Sequence, residues 1–422
     1  MRSLLEESFR AAVAAADPLK ILPAHLPPPP AGRTFVAAAG KAAASMALAV
    51  ERHWPAGAPL EGLAVTRYAH GLPTQRIRVV EAGHPMPDDA GRRGAAEMLA
   101  AAGTLGRDDL LLALISGGGS ALLTLPAEGI SMPDMQAVTR ELLRCGAAIQ
   151  EINTVRKHLS VIQGGRLAAA TKARVLALIV SDVTGDDPTH IGSGPCAPDI
   201  TSFRDALEVF SKYGIEAPTS VRVRLDAGAR GEIAETPKPG DALFARVENR
   251  VVATAHRSLE AAAEVFRARG IQPAILGDSI TGEAREVAKV MAALVREIRA
   301  HGGPFQPPVA LISGGECTVT VRGEKGRGGR CAEFLLALGT AIDGAAGVHA
   351  IAADTDGIDG SEDNAGAVLA PDSLARAHAL GVEAKAMLAA NDSWGFFSAL
   401  DDLLVTGPTR TNVNDYRAIL IA

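Results

Sequence analysis

The feature that most constrains this chain is a unit repeated along its 422 residues: a short apolar run, a Gly/Asp-rich loop, then a stretch with helical spacing. Phe35–Ala39 leads into Gly40-Lys41 and a helix over Ala42–Glu51. Leu110–Ile115 leads into Ser116-Gly-Gly-Gly-Ser120, and Val175–Val180 into Ser181-Asp-Val-Thr-Gly-Asp186. Val251–Ala253 precedes a helix around Leu259–Arg267, and Ala310–Ile312 leads into Ser313-Gly-Gly-Glu316. Val348–Ala352 leads into Asp354-Thr-Asp-Gly-Ile-Asp-Gly360, and Leu403–Val405 into Thr406-Gly-Pro-Thr409. Strands alternating with helices predict an α/β fold whose mainly parallel sheets form Rossmann-like layers with both faces covered. Ligands of such sheets bind where the loops leave the carboxyl ends of the strands. The Gly-, Pro- and charge-rich stretch Ala227–Asn249 predicts a boundary, giving an N-terminal α/β domain over 1–238 and a C-terminal one over 239–422. Leu-Ile-Ser-Gly-Gly occurs on both sides, at 114–118 and 311–315, which fits two domains flanking an interdomain cleft.

Composition narrows the function. The chain is 47% hydrophobic but only 4% aromatic, so its core is built mostly from Ala, Leu and Val. A net charge of −6 without a long basic tract argues against a nucleic-acid partner. A small anionic substrate then needs local positive charge, which the chain supplies at few points. Four scattered cysteines form no Cys-x-x-Cys pair, disfavouring a disulfide scaffold or zinc knuckle. Glu6 and Glu7 precede a short Ala-rich run unlike a secretory signal, and Leu110–Ile115 is far too short to span a bilayer. A cytoplasmic protein without a membrane partner is expected.

One of those positive points is Lys325-Gly-Arg-Gly-Gly-Arg330, directly before a Leu-rich helical run. Its glycines allow close backbone approach, a helix N-terminus offers N–H groups, and arginines bind carboxylate or phosphate through two parallel bonds. It is no P-loop, and neither is Gly40-Lys41, which has Phe35 and Ala42 where glycine and Ser/Thr are required. The dinucleotide fingerprint also fails, because Leu122 and Cys331 stand where a third glycine belongs. Lys41, at a helix start where a cation opposes the dipole, is a candidate point charge for phosphate or carboxylate. Asp182, Asp186 and Asp187 lie in one loop, suited to Mg²⁺ or to accepting a hydroxyl proton. Asp354, Asp356, Asp359 and Asp363 do not fit a calcium loop, leaving metal or substrate contact and tight Asx-turns as alternatives. Ser116–Ser120 can cradle an anion with backbone N–H groups, and His84 reads as a structural histidine between prolines.

As a set, these loops resemble the class II glycerate 2-kinase family, historically also named hydroxypyruvate reductase, with a C-terminal MOFRL domain. The matching motifs include Gly40-Lys-Ala42, Gly83-His-Pro-Met-Pro-Asp88, Ser116-Gly-Gly-Gly-Ser120 and Asn153-Thr-Val-Arg-Lys-His-Leu-Ser160. They continue through Ser181-Asp-Val-Thr-Gly-Asp186, Gly192-Ser-Gly-Pro195, Ser313-Gly-Gly-Glu316, Gly328-Gly-Arg330 and Thr411-Asn-Val-Asn414, covering nearly the whole chain in order. The resemblance implies phosphorylation of D-glycerate at its 2-hydroxyl with ATP and Mg²⁺. It implies Lys41 and Arg330 as essential cations and Asp182, Asp186 and Glu316 as acidic site residues, with Asp182 and Asp186 as the metal ligands. Gly40, Ser116, Gly117, Gly118, Ser120, Gly328 and Gly329 would then bind substrate or nucleotide.

This chain departs from the family pattern in places. The family's usual Gly-Gly-Arg-Asn-Gln-Glu has Cys331 and Ala332 in place of the amides, and Arg410 replaces a glycine. Thr254-Ala-His256 stands where many members have Gly-Ser-Asn. Such changes would alter affinity or the preferred acid if those amides contact ligand. The competing expectation, from the older family name, is an NAD(P)H-dependent hydroxypyruvate or tartronate-semialdehyde reductase. A homodimer is left open.

Overall fold

The computed structural model describes residues 1–321 and 326–422, so Lys325 of the basic loop lies outside the described residues. The chain divides into two compact units, residues 18–252 and residues 1–17 together with 253–422. These units differ from the expected 1–238 and 239–422 division at two places. The first helix, α1 (Arg2–Ala15), packs with the C-terminal residues, and residues 239–252 supply an edge strand to the sheet of the other unit. Both differences arise from apolar burial, which local composition around Ala227–Asn249 does not report.

The unit of residues 18–252 is built on a six-stranded sheet of order β3-β2-β1-β4-β5-β6. Its strands are β1 (Thr34–Ala39), β2 (Leu60–Arg67), β3 (Ile77–Ala82), β4 (Leu110–Ser116), β5 (Arg174–Val180) and β6 (Val247–Ala253). Strands β1 to β5 pair in parallel. Every residue of β1 and β4 is buried, which is why these strands read as continuous apolar runs rather than alternating ones. Helix α2 (Ala43–His53) follows β1, and α3 (Ile149–Leu159) leads toward β5. Met135, Val138, Leu142, Phe203 and Phe210 build a separate apolar cluster with the buried residues of α3.

The second unit holds β7 (Gln272–Gly277), β9 (Val309–Gly315), β11 (Val348–Asp354), β12 (Gly366–Leu369), β13 (Leu403–Leu404) and β14 (Asp415–Ile421), in the order β13-β12-β11-β14-β9-β7. Short strands β8 (Gly282–Glu283) and β10 (Cys317–Thr318) pair by themselves. Here only β7 and β9 pair in parallel within the main sheet, whereas β14 runs antiparallel to both β9 and β11. The α/β layering holds, but this sheet is mixed, because an apolar run fits either strand direction and only the connections decide. Helices α4 (Ala255–Arg267), α5 (Ala284–His301) and α6 (Arg330–Ile342) cover it. Leu4, Leu5, Phe9 and Ala12 of α1 join Leu259, Phe266 and Tyr416 in one core on one face. Phe334, Leu335, Phe396 and Ile419 belong to the core on the other.

Candidate active site

In the unit of residues 18–252, the parallel register places Ala39 opposite Ile115, so the loops after β1 and β4 emerge side by side. Gly40 has φ 129°, and a Cβ there would lie 2.2 Å from Ser116 Oγ and 2.5 Å from Ser116 O. Only glycine allows this approach. Lys41 N donates to Gly117 O at 2.8 Å, and Ala42 N donates to Ser116 Oγ at 3.0 Å. The buried Ser116 hydroxyl therefore ties the two loops together. At Gly118, φ 78°, a Cβ would meet the His84 ring at 3.0 Å and Lys41 Cγ at 3.3 Å. Lys41, Gly118 and His84 thus converge, and His84, read from sequence as structural, sits beside the candidate lysine.

Ser120 lies deeper. Its hydroxyl accepts from Ser193 Oγ at 2.8 Å and donates to Asn153 Oδ1 at 3.5 Å, while Asn153 Nδ2 donates to His190 O at 3.0 Å. Gln163 Nε2 holds the Ser120 carbonyl at 2.8 Å. Asn153 and Ser193 stand in family motifs, but no spacing rule singles them out. Asp182 and Asp186 follow β5, both half-buried, with Asp186 at φ 55°. Among the described residues, no three His, Cys, Asp or Glu side chains form a cluster able to hold a metal ion. Two carboxylates in one loop still match the one or two protein ligands that Mg²⁺ takes when substrate phosphates complete its shell.

In the second unit, Arg330 opens α6 and is enclosed by acids. Its Nε lies 2.9 Å and 3.0 Å from the two carboxylate oxygens of Asp415. One terminal nitrogen reaches Asp354 at 2.7 Å and the other Glu316 at 3.1 Å. Asp354 and Asp415 are buried, whereas Glu316 is exposed. Burial works against the Arg330 charge, but Asp415, Glu316 and Asp354 outweigh it and hold the guanidinium protonated. Burial raises Asp415 above the usual carboxylate range, opposed by Arg330 and Arg417. The cation that resembled an open receptor already has three internal partners.

The N-terminus of α6 is likewise occupied. Asp359 accepts from Cys331 N at 3.0 Å and Ala332 N at 2.8 Å, supplying an internal anion where a bound one was expected. Burial pushes the Asp359 carboxyl up to about 7, against these two bonds and Arg330. Asp354 Oδ1 accepts from Asp356 N and Asp356 Oδ1 from Ile358 N, so this acidic loop takes the Asx-turn alternative, with Asp359 as a helix cap. Gly329 and Gly328 are packed closely as well: a Cβ would lie 2.2 Å from Asp359 Oδ1 and 2.5 Å from Ser393 Oγ, respectively. Arg327 stacks 4.4 Å over Trp394. A cavity of about 250 Å³ remains beside these residues, lined in part by Cys317, Gly328, Gly329, Arg330, Glu333 and Asn391.

Residues 4–226 match a "Domain of unknown function (DUF4147)", and residues 309–415 match the MOFRL family. A glycerate 2-kinase from Pyrococcus horikoshii is 40% identical, covering 91% of this chain and 86% of the relative. A D-glycerate 2-kinase from Thermotoga maritima is 37% identical over 98% of this chain and 97% of the relative. The crystal structure of the Thermotoga maritima glycerate kinase superposes with a TM-score of 0.86 at 36% identity, covering 100% of this chain and 99% of that one. The chain belongs to the MOFRL-domain glycerate kinase family. An Agrobacterium vitis relative, 50% identical over 100% of this chain and 94% of its own length, carries the name "Putative hydroxypyruvate reductase".

Membership of this glycerate kinase family gives the departures structural meaning. Cys331 and Ala332 are buried in the apolar core, and their backbone N–H groups go to Asp359. Arg410 adopts φ 61°, the left-handed region that a glycine takes without cost. His256 stands half in solvent on the first turn of α4, 3.7 Å from Glu260. In this member of the family, the core absorbs the loss of the two amides.

Proposed function

We propose that this chain is an ATP-dependent glycerate 2-kinase that phosphorylates the 2-hydroxyl of D-glycerate to give 2-phospho-D-glycerate. The observation that carries this reading is end-to-end likeness to a solved glycerate kinase, at 36% identity and a TM-score of 0.86, with the motif loops in place. Phosphoryl transfer asks a protein mainly to position reactants and to stabilise charge. Lys41, beside Gly118, is assigned to the charge developing on the transferred group. Gly40, Gly117 and Gly118 bring backbone close to the phosphates, and Asp182 or Asp186 orients the attacking 2-hydroxyl. Mg²⁺ would be held by Asp182 and Asp186, where it neutralises phosphate charge when bound. Arg330 sets the local field through its three carboxylates, and Gly328 and Gly329 shape the loop that presents it. Among the described residues no helix is long and apolar enough to cross a membrane. We place the protein in the cytoplasm, with glycerate and ATP as its small-molecule partners.

The test is incubation of purified protein with D-glycerate and Mg-ATP, measuring ADP and identifying the product isomer by phosphorus NMR. The name of the Agrobacterium vitis relative favours a second reading, hydroxypyruvate reduction with NAD(P)H. Leu122 and Cys331, at the failed third-glycine positions, oppose it. NADH oxidation by hydroxypyruvate without ADP formation from glycerate and ATP would sink the kinase assignment.

A further inference from the structure

The commitment of Arg330 to Glu316, Asp354 and Asp415 leaves the carboxylate of an acid substrate without an obvious cation in that loop. Helix α3 offers one. Arg156 is half-buried, and burial alone pushes it down to about 10, with no acid acting in the other direction. Among the described residues it has no hydrogen-bond or ion-pair partner. Three further half-buried arginines of the unit are supplied internally. Arg166 donates to Lys157 O at 2.7 Å, Arg224 to His158 O at 3.0 Å, and Arg246 to Thr171 O at 2.6 Å. Even the neighbouring Lys157 is neutralised by buried Asp199 at 3.2 Å.

Position gives this cation a use. Residues three apart share a helix face, so Arg156 lies one turn beyond Asn153. Asn153 is bonded to Ser193 at 3.0 Å and lies 3.5 Å from Ser120 Oγ, in the loop that leaves β4 next to Lys41. His190, whose carbonyl accepts from Asn153, buries its Nδ1 without a partner. A cation without an anion thus lies one helical turn from an amide that is itself bonded to hydroxyl and carbonyl groups able to exchange bonds with a ligand. A small hydroxy acid has that chemistry: one carboxylate and adjacent hydroxyls. A desolvated arginine with no counter-charge disfavours the folded state, and such a residue is retained where a bound anion completes it.

We propose that Arg156 receives the carboxylate of the hydroxy-acid substrate, with the Ser120–Asn153–Ser193 group beside it for the substrate hydroxyls. This assignment rests on the glycerate kinase reading. Its test uses the full chain as wild type, Arg156→Gln and Arg156→Lys, measuring steady-state kinetics and the thermal midpoint with and without D-glycerate. Charge-assisted hydrogen bonds of this kind correspond to roughly 10- to 100-fold in KM for D-glycerate in Arg156→Gln. The KM for ATP should stay within about twofold, by the same separation of contacts. Arg156→Lys should fall between. The ligand-free midpoint of Arg156→Gln should hold or rise, and its shift with D-glycerate should vanish. An unchanged KM for D-glycerate, a KM change confined to ATP, or a lowered ligand-free midpoint would each overturn the assignment. A wild type without phosphoryl transfer would instead overturn the kinase reading, and the D-glycerate-induced shift would then decide Arg156 by itself.

Discussion

Replacing Arg330 by methionine removes the one guanidinium that Asp354 and Asp415 share with the exposed Glu316. Asp415 and Asp354 are only 1% and 2% exposed as side chains, so neither can recover hydration when the cation goes. Breaking a buried pair from one side costs about 3–5 kcal/mol, a large part of the roughly 5–15 kcal/mol that stabilises a domain. At about 2–4 °C per kcal/mol for a unit of this size, the midpoint should fall by roughly 6–20 °C. The two tryptophans, Trp54 and Trp394, lie in different units, so fluorescence in a Trp54→Phe background follows the unit that holds Arg330. Adding Asp415→Asn should restore about half of the loss, because one of the two buried charges disappears. The pH dependence has a definite sign. Without the cation, Asp415, already raised by burial, moves further above its unfolded value, with Arg417 still opposing the rise. The folded state then binds a proton that the unfolded chain does not, and the variant regains stability as pH falls through that folded value. A midpoint within about 2 °C of wild type at pH 7 would refute the structural weight given to this enclosure. Until that is measured, lost activity in an Arg330 variant cannot be assigned to catalysis alone.

Gly40→Ala should lower the midpoint of the 18–252 unit by roughly 5–15 °C and abolish turnover, since φ 129° and a 2.5 Å approach to Ser116 O leave no room for a Cβ; a thermal scan with an ADP assay checks both. Asp359, raised to about 7 in the fold against an ordinary carboxylate value of about 3.9 when unfolded, binds its proton more tightly when folded. Stability from this group is therefore fully present below the unfolded value and declines by roughly 3 kcal/mol as pH rises from 4 to 7. Comparing denaturant midpoints of wild type and Asp359→Asn across pH 4.5–7.5, the variant should show the flatter profile, and parallel profiles would contradict a titrating Asp359.

Much of the site was legible because its loops sit where apolar runs end. Gly40, Lys41 and Ser116–Ser120 were found that way, and the structure joins them through Ala42 N and Ser116 Oγ. Partnership across long sequence separation was not legible. Asp415 holds Arg330 from 85 residues away, at the start of a strand that lies next to the loop motif Thr411–Asn414 and was not singled out. Asp359 caps α6 from 28 residues beyond Cys331, so the backbone groups reserved for a phosphate had a closer claimant. Direction of pairing was also hidden: β14 is as fully buried as β9, and its antiparallel placement comes from the route of the chain. The burial of Cys331 and Ala332 was hidden because a sequence motif carries no record of which side of a helix meets the core.

Helix α1 closes the C-terminal unit from far away in the sequence. Tyr416 donates to Ser8 at 2.8 Å, Thr411 donates to the Ala16 carbonyl at 2.7 Å, and Arg2 pairs with Asp402 at 3.0 Å. Residues 2–16 therefore find partners about 400 positions further along the chain. Residues 18–252 can collapse into their own sheet, but an apolar strip of Leu4, Leu5 and Phe9 stays uncovered until Leu259, Phe266 and Tyr416 pack on it. A fragment starting at residue 253 would expose the matching surface of Leu259 and Phe266, so the MOFRL half should be insoluble when expressed alone and rescued by a peptide spanning residues 1–17.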